Sequence, residues 1–126
     1  MTVFTSTLIR TIQTASMLPL PQVHLWELDE LDAGACDGMT YGDIKRYMSS
    51  VSHDRGLNKL AYQYPSGESY LTLCMRVLPV LEQLKARNGG ALVVAHQAVL
   101  RCIFGFLQSK ALVDITHLVR CDAALV

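Results

Sequence analysis

The chain has 126 residues, long enough for one hydrophobic core and too short for two. Eleven basic and eleven acidic side chains cancel, so no electrostatic footprint argues for a nucleic acid or an anionic membrane as partner. Apolar residues make up 51%, yet no uninterrupted apolar run approaches the ~18 residues that cross a bilayer; one soluble domain over residues 1–126 is expected.

Cys36, Cys74, Cys102 and Cys121 form no Cys-x-x-Cys pair, which favours free, buried thiols in a reducing, cytoplasmic setting. Met1 to Ser6 has no basic segment followed by a long apolar one, so it does not read as a secretory signal.

Thr2 to Phe4 is a short β-prone run, followed by Thr5-Ser6 as a candidate helix cap and by Leu8, Ile9, Ile12 and Leu18 at mostly helical spacing. Arg10 then falls near the amino end of a helix, where it can help hold an anion or simply be solvated. Pro19 and Pro21 stop that helix, and Val23 to Leu28 reads as extended. Glu27, Asp29, Glu30 and Asp32 crowd the next loop. Such a loop could supply a general acid, bind a hard cation or be solvated; it lacks the alternate-position ligands and glycine of a calcium loop, so no metal is expected.

Thr40 caps a short helix to about Tyr47, and Ser49 to Tyr64 reads as a long irregular segment whose cations are Arg55 and Lys59. Pro65 to Ser69 is a turn. Tyr70, Leu73, Val77, Leu81 and Leu84 mark the longest amphipathic helix, with Pro79 predicting a kink or a boundary. After Gly89-Gly90, the non-alternating run Ala91 to Ala95 reads as a strand covered on both faces, and Val99, Leu100, Ile103, Phe104 and Leu107 as a helix. His96 and Gln97 therefore sit where a strand ends and a helix begins, a position whose free backbone N–H groups suit phosphate. Lys110 to His117 is a connection with a helical turn, and Cys121 to Val126 a candidate last strand. This order of elements predicts an α/β sandwich.

Five blocks carry a family resemblance: Thr5-Ser6 with Arg10 to Ala15; Glu30 to Cys36; Met39-Thr40-Tyr41; Tyr64 to Tyr70; and His96 to Arg101. In this order they resemble the bisphosphatase domain of the 6-phosphofructo-2-kinase/fructose-2,6-bisphosphatase family, part of the histidine phosphatase, or phosphoglycerate mutase-like, superfamily. The resemblance implies a three-layer α/β/α sandwich lacking its first strand and helix. It also implies a catalytic set of Arg10 (phosphate clamp), Glu30 (proton donor to the leaving sugar oxygen) and His96 (contact to the transferring phosphoryl group). Tyr41, Arg55, Lys59, Tyr70, Gln97 and Arg101 match positions that bind the phosphorylated sugar, fructose 2,6-bisphosphate or its product fructose 6-phosphate. No cofactor is implied, because arginines and imidazolium supply the positive charge that phosphoryl transfer needs. As an acid Glu30 must carry a proton, with Asp29 a candidate neighbour to favour it.

The family's nucleophile is a histidine in Arg-His-Gly, and none of His24, His53, His96 or His117 stands in that motif. As written, the chain is expected not to form a phosphohistidine. A fragment of a longer enzyme or an incomplete gene model competes with a degenerate homologue that only binds or regulates, and with a broader histidine phosphatase or phosphoglycerate mutase. An upstream kinase domain and a homodimer are compatible with the resemblance. Loss of the first strand is expected to leave two exposed sheet edges and an uncovered face.

Overall fold

A computed structural model describes residues 1–118. Three strands, β1 (Thr2–Thr5), β2 (Gln22–His24) and β3 (Ala91–Val94), form a parallel sheet in the order β2-β1-β3. Val3, Phe4 and Thr5 pair with Gln22, Val23 and His24 on one side and with Leu92, Val93 and Val94 on the other. The six helices are α1 (Ile9–Ala15), α2 (Tyr41–Tyr47), α3 (Ser49–Leu57), α4 (Tyr70–Lys85), α5 (Gln97–Leu107) and α6 (Leu112–Ile115). Phe4, on one face of β1, joins the main core with Leu73 and Val77 of α4 and Val99 and Ile103 of α5. Helix α1 contacts β1 and β3 outside that core, covering the opposite face. This is the expected layered α/β arrangement.

Strand β3 is half-buried along its length rather than covered on both faces. β1 pairs directly with β3, so the sheet is continuous, and among the described residues β2 and β3 are its two edges, each with one neighbour.

Thr40 closes a capping box with Asp43, its side chain accepting the Asp43 N–H while the Asp43 carboxylate accepts the Thr40 N–H. Thr5-Ser6 does not cap α1. Leu8 occupies the cap position, and Ser6 Oγ accepts the Leu8 N–H one residue earlier. Of Val23 to Leu28, only Val23 and His24 are strand; Trp26–Leu28 forms a 3₁₀ turn.

The segment from Ser49 to Tyr64 is not irregular throughout, since Ser49–Leu57 is helix α3. Only Val51 of this helix is buried, so it carries almost no apolar periodicity to read. Pro79 lies within a continuous α4. It faces solvent with Leu78, and Met75, whose carbonyl loses its helical partner to the proline, is 67% exposed, so the missing bond falls on the outer side of the helix. Cys36, Cys74 and Cys102 are free and buried, while Cys121 and the candidate last strand lie outside the described residues.

Candidate active site

Two turns from sheet to helix meet at the carboxyl ends of β1 and β3. His96 follows β3 in extended conformation and leads into α5. Its Nε2 lies 2.8 Å from Ser6 Oγ, which lies 2.7 Å from Thr11 Oγ1. Thr11 in turn donates to the Leu8 carbonyl at 2.9 Å, and Ser6 Oγ also accepts the Leu8 N–H. One proton arrangement satisfies all four contacts: Thr11 donates to Leu8, Ser6 to Thr11, and His96 Nε2–H to Ser6. That tautomer leaves Nδ1 as the nitrogen that titrates.

Glu30 reaches the same turn. Its carboxylate accepts the Leu31 N–H at 2.8 Å and the Ala98 N–H, in the first turn of α5, at 3.4 Å. Asp29 is turned to Thr7, accepting the Thr7 N–H at 2.7 Å and its hydroxyl at 2.8 Å, so its carboxylate is engaged elsewhere. Glu30 separates two cavities. One, of about 450 Å³, is lined by Arg10, Trp26, Asp29 and Arg76. The other, of about 370 Å³, is lined by Tyr41, Arg55, Tyr64, Tyr70 and Gln97.

Cations and tyrosines frame the second cavity. Arg55, from α3, sits 4.7 Å from the Tyr41 ring centre. Lys59 Nζ sits 5.8 Å from the Tyr70 ring centre and donates to the Thr116 carbonyl at 2.7 Å. Arg101 Nη1 donates to the Tyr70 hydroxyl at 3.1 Å, while its buried Nε has no partner among the described residues. Neither Lys59 nor Arg101 lines the cavity; both stand behind Tyr70. Burial, then Arg55 and Arg101, push the Lys59 ammonium below its ordinary value. Burial raises the Tyr70 hydroxyl, with Arg101 opposing. Among the described residues, no carboxylate forms an ion pair with Arg10, Arg55, Lys59 or Arg101.

The remaining histidines lie apart from this arrangement. His24 Nδ1 is 2.6 Å from Thr5 Oγ1, whose own proton goes to the Ser6 carbonyl, so His24 is the donor. His53 and His117 are exposed. Sequence reasoning passed over Thr11, which reads as an ordinary helix residue, and Arg76, which reads as a solvated one. Arg76 instead binds Glu68 and the main chain before Glu30. Arg76's contacts lie 49 and 47 positions away, and Thr11, though bonded to its near neighbours Ser6 and Leu8, reaches His96 only through Ser6 across 90 positions, so neither role leaves a local signal.

A family model described as the histidine phosphatase superfamily, branch 1, matches residues 1–125. The chain belongs to this superfamily. As a histidine phosphatase it is 45% identical over 109 residues to fructose-2,6-bisphosphatase of Saccharomyces cerevisiae, an alignment covering 86% of this chain and 24% of that one. It is 41% identical over 117 residues to 6-phosphofructo-2-kinase/fructose-2,6-bisphosphatase of Arabidopsis thaliana, covering 92% of this chain and 16% of that one. The chain thus spans less than a quarter of either relative. Among solved structures, a mycobacterial glucosyl-3-phosphoglycerate phosphatase superposes with a TM-score of 0.80 at 20% identity, covering 98% of this chain and 65% of that one. The alpha-ribazole phosphatase of Shigella flexneri gives 0.77 at 23% identity, covering 91% and 60%. These likenesses show the fold.

Burial, reinforced by the Arg10 guanidinium, holds the histidine phosphatase's His96 below the usual imidazole value. A lowered folded value means that the neutral ring is the stabilised form. Its contribution is complete above the unfolded value of about 6.5 and is lost as pH falls through the folded one. The His96 ring resonances are therefore expected to titrate below pH 6.5 in the free chain, and a saturating phosphoryl ligand is expected to raise the midpoint. An NMR titration with and without inorganic phosphate checks both.

Proposed function

We propose that the chain is a fructose-2,6-bisphosphatase-type phosphatase domain, removing the 2-phosphate of fructose 2,6-bisphosphate, with the phosphoryl-accepting histidine outside these 126 residues. The observation that carries this reading is the group of cations Arg55, Lys59 and Arg101 around Tyr41 and Tyr70, in and beside a cavity that shares Glu30 with the one lined by Arg10. Mutually repelling cations that have no carboxylate partner among the described residues are stabilised by a bound anion. Two such regions on either side of one carboxyl group suit a sugar with two phosphates.

In this reading Arg10 and the N–H groups opening α5 hold the transferring phosphoryl group, whose charge grows on its equatorial oxygens. His96, protonated at Nδ1 by contact with the anion, adds a positive donor. Glu30 gives its proton to the departing sugar oxygen, while the second cavity holds the ring and the other phosphate. The 40–45% identity to fructose-2,6-bisphosphatases supports the substrate. Calorimetry on the 126-residue chain is expected to show fructose 2,6-bisphosphate binding more tightly than fructose 6-phosphate, and either more tightly than inorganic phosphate. Equal affinities for all three would remove the basis for the assignment.

A second reading, a phosphosugar-binding module without chemistry, is favoured by one observation. His96 is the histidine at the site, and its Nε2 is engaged by Ser6. Incubation with substrate labelled at the 2-phosphate separates the two for any longer form of the protein: the enzyme acquires acid-labile, base-stable label, and the module stays unlabelled.

A further inference from the structure

Arg76, on α4, directs its guanidinium into the loop that carries Glu30. Nη1 donates to the Glu27 carbonyl at 2.6 Å, and Nη2 to the carbonyls of Asp29 at 2.8 Å and Glu30 at 3.3 Å. The other side of the fork is bidentate on Glu68, with Nε to Oε2 at 3.1 Å and Nη2 to Oε1 at 3.0 Å. The side chains are 11% and 20% exposed, so this pair is largely shielded from water and salt. Glu68 is itself tied to the loop, its N–H donating to the Asp32 carbonyl at 2.8 Å.

Three carbonyls within four residues, those of Glu27, Asp29 and Glu30, therefore converge on one planar group at the base of the carboxylate that meets the amino end of α5. Lysine, a single flexible point charge, cannot reproduce that geometry. We infer that Arg76 and Glu68 are a positioning pair that sets where the Glu30 carboxylate stands relative to the turn bearing His96. This rests on the reading of Glu30 as the acid, but the geometry it asserts is measurable without substrate.

The test uses the 126-residue chain, its Arg76→Lys and Glu68→Gln variants, and two readouts that a role confined to stability would leave alone. One is the chemical shift of the Glu30 side-chain carboxyl carbon at fixed pH, which reports its hydrogen bonds. The other is hydrogen exchange at Leu31 and Ala98, whose N–H groups donate to Glu30. Both variants are expected to move the Glu30 carboxyl resonance and to speed exchange at these two amides by about tenfold or more, while Leu73 and Val77 in α4 keep their protection.

An unchanged Glu30 carboxyl resonance and unchanged amides in the folded variants would overturn the proposal. Equal loss of protection throughout α4 in both variants would also overturn it, since the pair would then be a scaffold contact. If wild-type chain instead fails to bind fructose 2,6-bisphosphate while Glu30 responds to Arg76→Lys, the functional reading fails and the positioning stands.

Discussion

Gly34→Ala is expected to destabilise the fold by about 3 kcal/mol or more, as much as emptying a core leucine site. Gly34 has φ +53°, and a Cβ there would stand 2.0 Å from the Pro65 carbonyl oxygen and 2.6 Å from the Gly67 nitrogen. The approach is reciprocal, for a Cβ on Gly67 would meet the Asp32 carbonyl oxygen at 2.4 Å. Both neighbours are backbone, so no side chain can rotate away, and the loop after Glu30 must separate from the turn before Glu68. Urea denaturation measures the loss. Gly56→Ala is the control: nothing lies within 4 Å of its Cβ, and it occupies the exposed helix α3. There alanine is expected to add up to about 1 kcal/mol through helix propensity. Equal stability of Gly34→Ala and wild type would mean that the two turns are not interlocked.

Arg101→Met is expected to weaken fructose 2,6-bisphosphate binding by about tenfold, because its charge acts on the second cavity from behind Tyr70 and holds the Tyr70 hydroxyl there. Its effect on the free protein is the balance of two opposed changes. Among the described residues Arg101 Nε is buried without a partner, so removing it relieves a desolvation cost, while the hydrogen bond to the Tyr70 hydroxyl is lost. Thermal stability is therefore expected to change little while affinity falls, and the Lys59 ammonium to move back toward its ordinary value as one repelling cation disappears. Calorimetry and thermal unfolding on the same variant check the pair of outcomes. Unchanged affinity would place the second phosphate away from Arg101.

The elements that could be read directly from the chain are those whose information is local. The Thr40-Asp43 capping box lies three residues apart, and Tyr70, Leu73, Val77 and Leu81 repeat at helical spacing because one face of α4 enters the core. The apolar run ending at His96 and the helix after it announced a strand-to-helix turn for the same reason. Helix α3 was not legible, since a helix burying Val51 alone leaves no stripe. That helix lifts Arg55 over the Tyr41 ring, a juxtaposition no spacing within Ser49 to Tyr64 encodes.

Residue types and their local periods thus determined that this is an α/β chain with phosphate-suited turns at Arg10 and His96. Tertiary structure decided what those turns face. Ser6 meets His96 across 90 positions, and Arg76 meets the Glu27 carbonyl across 49. Such contacts form because packing α4 and α5 against one face of the sheet buries their apolar sides together and carries the polar groups at their ends to a common rim. A hydrogen bond between residues so far apart has no period to leave in the chain, so its partners become visible only once the core has brought them within reach.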